Sequence, residues 1–367
     1  MAENRTQKSG ILQGSVLGPL VFLILIGDIE AEISTSFLSS FADDTRIGHV
    51  VCNDEDQAAL QADLQRVYEW AASNNMQFNS EKFELMRYKG TLHTDAVYKA
   101  DDGSQIEEKT SLRDLGVTMS NDASFGQHIS EKAAAMRSKV AWILRTFKTR
   151  NRILMLTLWK SLVLSLHDFC VQLWCPHKPG DIQSLEMIQR SFVRKISGMY
   201  GKNYWEQLTD LKLYSLERRR ERYIAIYVWK ILEGIAPNLG SDSNIVPNLS
   251  PRRGRSCNVP HIPSQAPTRI QTLRNESFAV KGPRIFNSLP KDVRCFTGGT
   301  VDAFKSRLDA YLKTVPDQPL IPGYTAGRLI ASNSLIDWAN HLALTNEEEP
   351  VTQQLQQANR ADHPDSP

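Results

Sequence analysis

Apolar residues in the first part of this chain come in short runs broken by polar turns. Every residue from Val21 to Ile26 is apolar, and Gly18-Pro19 just ahead suits a first helical turn, so the pattern predicts a helix from there to about Ile33. Ser36 to Ala42 and Thr45 to Val51 are β-prone runs on either side of Asp43-Asp44, which reads as strand, tight turn, strand with both acids at the tip. Leu60, Leu64, Val67, Tyr68 and Ala71 return to helical spacing, with Asn74-Asn75 as a stop.

Farther along, the period becomes helical and stays so. Ile129 to Lys148, Ile153 to Leu166, Ile182 to Ile196 and Leu216 to Leu232 all carry apolar residues three to four apart with few breakers. Trp142, Phe147, Leu154, Leu158, Trp159, Leu162, Phe192 and Trp229 are expected in the core, because aromatics at this spacing pack more often than they stack on bases. From Ala236 to Thr268 six prolines, serines, asparagines and Arg252-Arg253-Gly254-Arg255 mark a linker. Structure returns at Phe278 to Leu289, followed by a predicted helix from about Val301 to Lys313. Beyond about Val315 the composition predicts a loosely ordered end.

Charge divides the same chain differently. The net charge is +2, but residues 131–230 hold 19 basic against 8 acidic side chains, whereas residues 1–130 hold 10 against 20. A basic helical body next to an acidic one points to polyanion binding, with a merely solvated set of helices as the alternative. Candidate phosphate contacts lie off the apolar faces: Arg145, Lys148, Arg150, Arg152, Arg190, Arg194, Lys195, and the run Arg218, Arg219, Arg220 and Arg222. Five cysteines without framework spacing suggest a reducing compartment, cytoplasmic or nuclear. Cys170-x4-Cys175-Pro-His177 lacks a second ligand pair at finger spacing, so burial is favoured over zinc. The apolar run at Leu17 to Ile26 is too short to cross a membrane, and its polar N-terminal flank does not read as a secretory signal.

The chemistry concentrates at Asp43-Asp44. Adjacent like charges are unfavourable unless a cation lies between or beside them, and in phosphoryl chemistry that cation is usually a divalent metal. A solvated acidic turn is the bland alternative, since aspartate is favoured in turns for its own hydrogen bonding. Upstream, Gln13-Gly14-Ser15-Val16-Leu17-Gly18-Pro19-Leu20 forms a glycine-containing loop running into the first helix.

Gln13 to Leu20 and Phe41-Ala42-Asp43-Asp44, about 20 residues apart and in this order, resemble motifs B and C of the reverse transcriptases of non-LTR (LINE-type, jockey-like) retrotransposons. Met76 to Lys82, followed by Phe83 to Tyr88, is similar to motif D, though Phe83 stands where the family more often has Thr or Cys. Leu112-Arg113-Asp114-Leu115-Gly116-Val117 is similar to the motif E hairpin, which in the family grips the primer end. The resemblance implies that Asp43 and Asp44 bind catalytic Mg²⁺, that Lys82 meets the leaving pyrophosphate, and that Gln13, Gly14, Phe41 and Ala42 position template and nucleotide. It also implies an RNA template, a DNA primer or RNA–DNA duplex, and deoxynucleotides as partners.

The implied fold is α+β. Residues 1–122 would form a partial palm, a helix plus antiparallel strands, and 123–235 an all-helical thumb-like region. A linker at 236–270, a tail module at 271–315 and a loose end follow. In the family a motif A aspartate shares the metals and precedes motif B by tens of residues, and residues 1–12 hold no such element. The chain alone is therefore expected to be inactive, with an edge or an apolar face exposed on the remaining palm sheet. The alternatives are a non-catalytic nucleic-acid binder using the basic helices, or a relic folded only in part.

Overall fold

The computed structural model describes residues 14–79, 82–88, 96–237, 248–250, 254–256, 259, 268–319 and 333–342. They form an α+β protein that divides into two compact units, one comprising residues 1–114 and 119–123 and the other the rest.

The first unit is organised around one long helix. Helix α1 (Gly18–Ile26) leads through a 3-10 turn (Ile29–Glu32) into a hairpin of β1 (Phe37–Phe41) and β2 (Asp44–Gly48), followed by helix α2 (Asp54–Ser73). α2 starts where it does because Asn53 and Asp56 form a reciprocal capping box, and Asp54, Glu55 and Asp56 place negative charge at the positive end of the helix dipole. Its apolar stripe is wide enough to serve two clusters. Val67, Trp70 and Ala71 pack with Ile26 and Ile29, and Leu64 and Tyr68 pack with Tyr98 and Ile106.

Helix α1 stops at Ile26 rather than continuing to Ile33. Asp28 just beyond it accepts a hydrogen bond from Trp70 Nε1 at 3.0 Å, and that bond fixes the turn against α2. Only Gly18 and Ile26 of α1 are buried, leaving Leu20, Leu23 and Ile24 in solvent. This is the apolar face expected from the sequence, and it falls on the helix rather than on a sheet. Phe37 lies over Gly48, its cross-strand partner, so closely that a Cβ there would sit 2.0 Å from the ring. Two short strands, β3 (Glu84–Leu85) and β4 (Glu107–Glu108), pair in parallel, where only antiparallel strands were expected. β5 (Ser111–Asp114) and β6 (Val117–Ser120) form a further two-stranded sheet.

The second unit is helical. Its first core is built by α3 (Gly126–Thr146), α4 (Arg152–Leu158), a π-helical turn (Trp159–Val163) running into α5 (Leu164–Asp168), α6 (Val171–Trp174), α7 (Pro179–Val193) and α8 (Tyr204–Leu211). Trp159 and Phe192 stack at 4.8 Å in its centre. Trp142 departs from expectation and is 44% exposed. The buried stripe of α3 is Ile129, Ala133, Met136, Val140 and Ile143, and Trp142 is rotated about 100° away from Ile143 around the helix.

Helix α9 (Leu216–Leu232) then serves both cores, giving Leu216 to the first and Ile224, Ala225, Val228 and Trp229 to the second. Around the second core lie α10 (Thr268–Glu276), α11 (Phe278–Asn287), α12 (Lys291–Arg294) and α13 (Val301–Leu312), with Trp229 stacked on Phe304 at 4.6 Å. A short hairpin of β7 (Asn248–Ser250) and β8 (Gly254–Ser256) falls in the segment read as linker. The loose end is corrected at one place. Residues 335–342 are helical, and Leu335 is buried in the second core. Cys295 is disulfide-bonded, while Cys52, Cys170 and Cys175 are free.

A polar network runs through the interior of this unit. Glu186 accepts from the Tyr204 hydroxyl and from Leu216 N–H. Glu221 accepts from Ser334 Oγ at 2.7 Å and Leu335 N–H at 3.0 Å. Burial raises both glutamates to about 7. Burial lowers His167 to about 4, so its neutral ring donates from Nδ1 to Asp168 and presents Nε2 to Arg220.

These shifts have opposite signs in stability. A raised glutamate stabilises fully below about pH 4.5, and that contribution is lost as pH rises through 7; the lowered histidine stabilises above 6.5 and loses its contribution as pH falls through 4. Two glutamates outweigh one histidine, so the unit should lose stability between pH 5 and 7.5. Glu221→Gln should flatten that slope by about one proton's worth, roughly 1.4 kcal/mol per pH unit at most. Denaturant melts across that range check it, and an unchanged slope in the variant rejects it.

Candidate functional site

The paired carboxylates sit at the tip of the β1–β2 hairpin. Phe41 pairs with Asp44, leaving Ala42 and Asp43 as a two-residue loop. Ala42 takes a positive φ of 54°, a conformation that glycine adopts freely and alanine adopts only under strain. Strain of this kind persists only where surrounding structure holds it, and the hairpin ladder with the Ser40–Thr45 hydroxyl contact at 3.1 Å does so here. Asp43, Asp44 and Phe41 are all exposed, Phe41 to 65%.

Two anchors hold the hairpin, one buried at its base and one half-buried along β2. Asp63 of α2 is 0% exposed and gathers the segment just before β1. Its Oδ1 accepts from the backbone and side chain of Ser34, each at 3.1 Å, and its Oδ2 accepts from Thr35 N, Thr35 Oγ1 and Ser36 N at 3.1, 2.7 and 2.8 Å. Burial alone would raise its carboxyl, but the hydrogen bonds from Thr35, Ser34 and Ser36 outweigh it and hold the group far below the ordinary carboxylate range. Arg66 closes the arrangement by pairing with Asp63 and donating to Ser34 Oγ at 2.6 Å. The second anchor is Arg46 of β2, whose Nη2 meets Asp114 at the end of β5 at 2.6 Å. This bond ties the carboxylate hairpin to the Leu112–Val117 segment that resembles motif E.

Neither anchor came from the sequence, yet Asp63 left a signal. It is a carboxylate on the apolar stripe of α2, between Leu60 and Leu64, and Ser34-Thr35-Ser36 is the only place upstream where three hydroxyl residues run together.

Other expected site residues are placed as follows. Gly14 and Lys82 are exposed, and Gln13 lies outside the described residues. In the helical unit Arg145, Lys148, Arg194 and Lys195 are exposed, while Arg190 is half-buried with its guanidinium 4.7 Å from the Tyr204 ring centre. The run at the start of α9 needs correction. Arg218 and Arg220 are 0% and 1% exposed; Arg218 donates to the carbonyls of Asn333 and Pro316, and Arg220 faces His167. Arg219 binds Asp168 through Nε and Nη2, and Arg222 binds Asp309 through two nitrogens. A guanidinium already matched to a carboxylate has no fork left for a phosphate. Among the described residues no group of three or more histidine, cysteine, aspartate or glutamate side chains could hold a metal, at Cys170-Cys175-His177 or elsewhere. No helix among them is long and apolar enough to cross a membrane.

The paired carboxylates thus stand on an exposed β-hairpin that follows an apolar helix in the chain. Residues 1–119 match the reverse transcriptase (RNA-dependent DNA polymerase) family, about a third of the chain. It is 26% identical over 198 residues to the probable RNA-directed DNA polymerase from transposon X-element of Drosophila melanogaster. It is 24% identical over 203 residues to the RNA-directed DNA polymerase from mobile element jockey of the same fly. Each match covers 52% of this chain and 22% of the relative, so the chain spans about a fifth of those proteins. A match to the probable RNA-directed DNA polymerase from transposon BS reaches 61% of this chain at 23% identity and 26% of the relative. No solved structure gives a significant match.

Proposed function

We propose that this chain supplies part of the palm and the thumb of an RNA-directed DNA polymerase, with Asp43 and Asp44 as ligands of a divalent metal such as Mg²⁺. The observation that carries this is the exposed Asp43-Asp44 tip on a two-residue hairpin within the segment that matches the reverse transcriptase family. The donor set fits the ion. Mg²⁺ is held by one or two carboxylates together with substrate phosphates and water, and two exposed carboxylates at a loop tip leave room for both. When bound, the metal supplies charge stabilisation for attack of a primer 3′-hydroxyl on the α-phosphate of a deoxynucleotide.

The chain's own residues serve position and electrostatics. Asp63 and Arg46 hold the hairpin still, so that the tip meets the reacting phosphate without reorganising. Gln13, Gly14, Phe41 and Ala42 would serve to position template and nucleotide, and Lys82 offers a positive charge to the departing pyrophosphate. Exposed Arg145, Lys148, Arg194 and Lys195 give the helical unit its grip on the RNA–DNA duplex, with affinity that falls steeply with salt. A further ligand has to join Asp43 and Asp44 from another segment, since no third carboxylate accompanies them among the described residues.

Primer extension tests this. The chain alone should give no Mg²⁺-dependent product on an RNA template. Joined behind the upstream reverse-transcriptase segment of the jockey relative, it should extend the primer, and Asp43→Asn should abolish that product. Extension that survives Asp43→Asn would overturn the assignment.

A further inference from the structure

At one end of the helical unit, two loops meet that the carboxylate chemistry does not use. Ser197 N–H donates to the carbonyl of Arg150 at 2.9 Å, joining the loop after α3 to the loop after α7. Lys148, Arg152, Arg194 and Lys195 are exposed on these loops and their flanks. At the crest of the second loop Tyr200 is 96% exposed.

That exposure is built in. Gly198 and Gly201 have φ of 82° and 81°, left-handed geometry that reverses the chain on both sides of the tyrosine. Met199 beside it is buried, so the two side chains point to opposite sides of the loop. Gln207, itself buried, donates to the carbonyls of Met199 and Lys202 at 2.9 and 3.0 Å, which fixes the loop at its base. The nearby acidic groups are already committed: Asp210 pairs with Lys202, and Glu206 closes the N-terminal cap of α8. The result is an aromatic ring held out on a loop whose flanks carry exposed cations, of which Lys148, Arg194 and Lys195 make no ion pair among the described residues.

We propose that this end of the helical unit binds unpaired, single-stranded nucleic acid, with one base stacked on Tyr200 and the phosphates on either side met by Arg194, Lys195, Lys148 and Arg152. An exposed ring on a positive surface is the combination that single-strand binders use, because every base has a π-face and every nucleotide a charge. A duplex keeps its bases stacked inside and gains only the charges. The inference rests on the nucleic-acid reading of the helical unit and is independent of Asp43 and Asp44.

The test uses fluorescence anisotropy of the full chain with a single-stranded oligonucleotide and with an RNA–DNA duplex. Tyr200→Ala should weaken single-strand binding on the order of tenfold or more and leave duplex binding within twofold, while Tyr200→Phe keeps both. Arg194→Ala with Lys195→Ala should weaken both nucleic acids and reduce the salt slope by about two. Because Tyr200 makes no buried contact, circular dichroism should be unchanged in its variants. Loss of duplex and single strand alike in Tyr200→Ala, no loss of either, or equal competition by poly-glutamate would overturn the proposal. Anisotropy reads binding without any primer extension, so failure of the polymerase assignment and failure of this one are read separately.

Discussion

Asp63→Ala should loosen the carboxylate hairpin more than any substitution at the hairpin itself. The change leaves the backbone N–H groups of Ser34, Thr35 and Ser36 without their acceptor and strips Arg66 of its partner. Breaking a buried, hydrogen-bonded charge in this way costs about 3–5 kcal/mol. Amide exchange resolved by mass spectrometry should therefore rise across residues 33–48 and stay unchanged in α7 and α9. Acid should imitate the mutation. The Asp63 carboxyl titrates far lower in the folded protein than in the unfolded one, so its contribution is complete above about pH 4 and fades as pH falls below that. If exchange over 33–48 is the same in the variant, Asp63 does not hold the hairpin.

Arg218→Ala should unfold the helical unit before it affects any ligand. The side chain is fully buried, bonded to the carbonyls of Pro316 and Asn333, and 3.8 Å from Glu221. Its Nε and Nη1 make no hydrogen bond, so Glu221 is the main counterweight to its charge. Removing it leaves the carbonyls of Pro316 and Asn333 without this donor and Glu221 without its nearest cation, a loss of roughly 3–5 kcal/mol in chemical denaturation. Lys148→Ala or Arg194→Ala, on exposed positions, should cost less than about 0.5 kcal/mol. A folded Arg218→Ala protein with wild-type stability and weakened duplex binding would return Arg218 to the phosphate contacts.

Arg218 also illustrates where reading the chain directly fell short. The run Arg218-Arg219-Arg220-Glu221-Arg222 has the composition of a nucleic-acid patch, and composition is silent about partners far along the chain. The matching groups are Asp168, Asp309 and the carbonyls of Pro316 and Asn333, separated from the run by 50 to over 110 residues. The helices themselves were legible, because a period near 3.6 is a local property: α2, α3, α7 and α9 lie close to where their apolar spacing puts them. Trp142 was misplaced by a single step around α3, a rotation that only a packed neighbour defines.

What the sequence by itself determined is the carboxylate turn, its order after the glycine-containing loop, the helical spacing and the concentration of positive charge, all of which depend on residues near one another. What the tertiary structure alone decided is which charges remain available. Burial and pairing take Arg218, Arg219, Arg220 and Arg222 out of reach and leave Lys148, Arg194 and Lys195 in solvent. It likewise made Asp63 the anchor of the Asp43-Asp44 tip, because desolvating a carboxylate is tolerable only where the fold delivers enough donors to meet it.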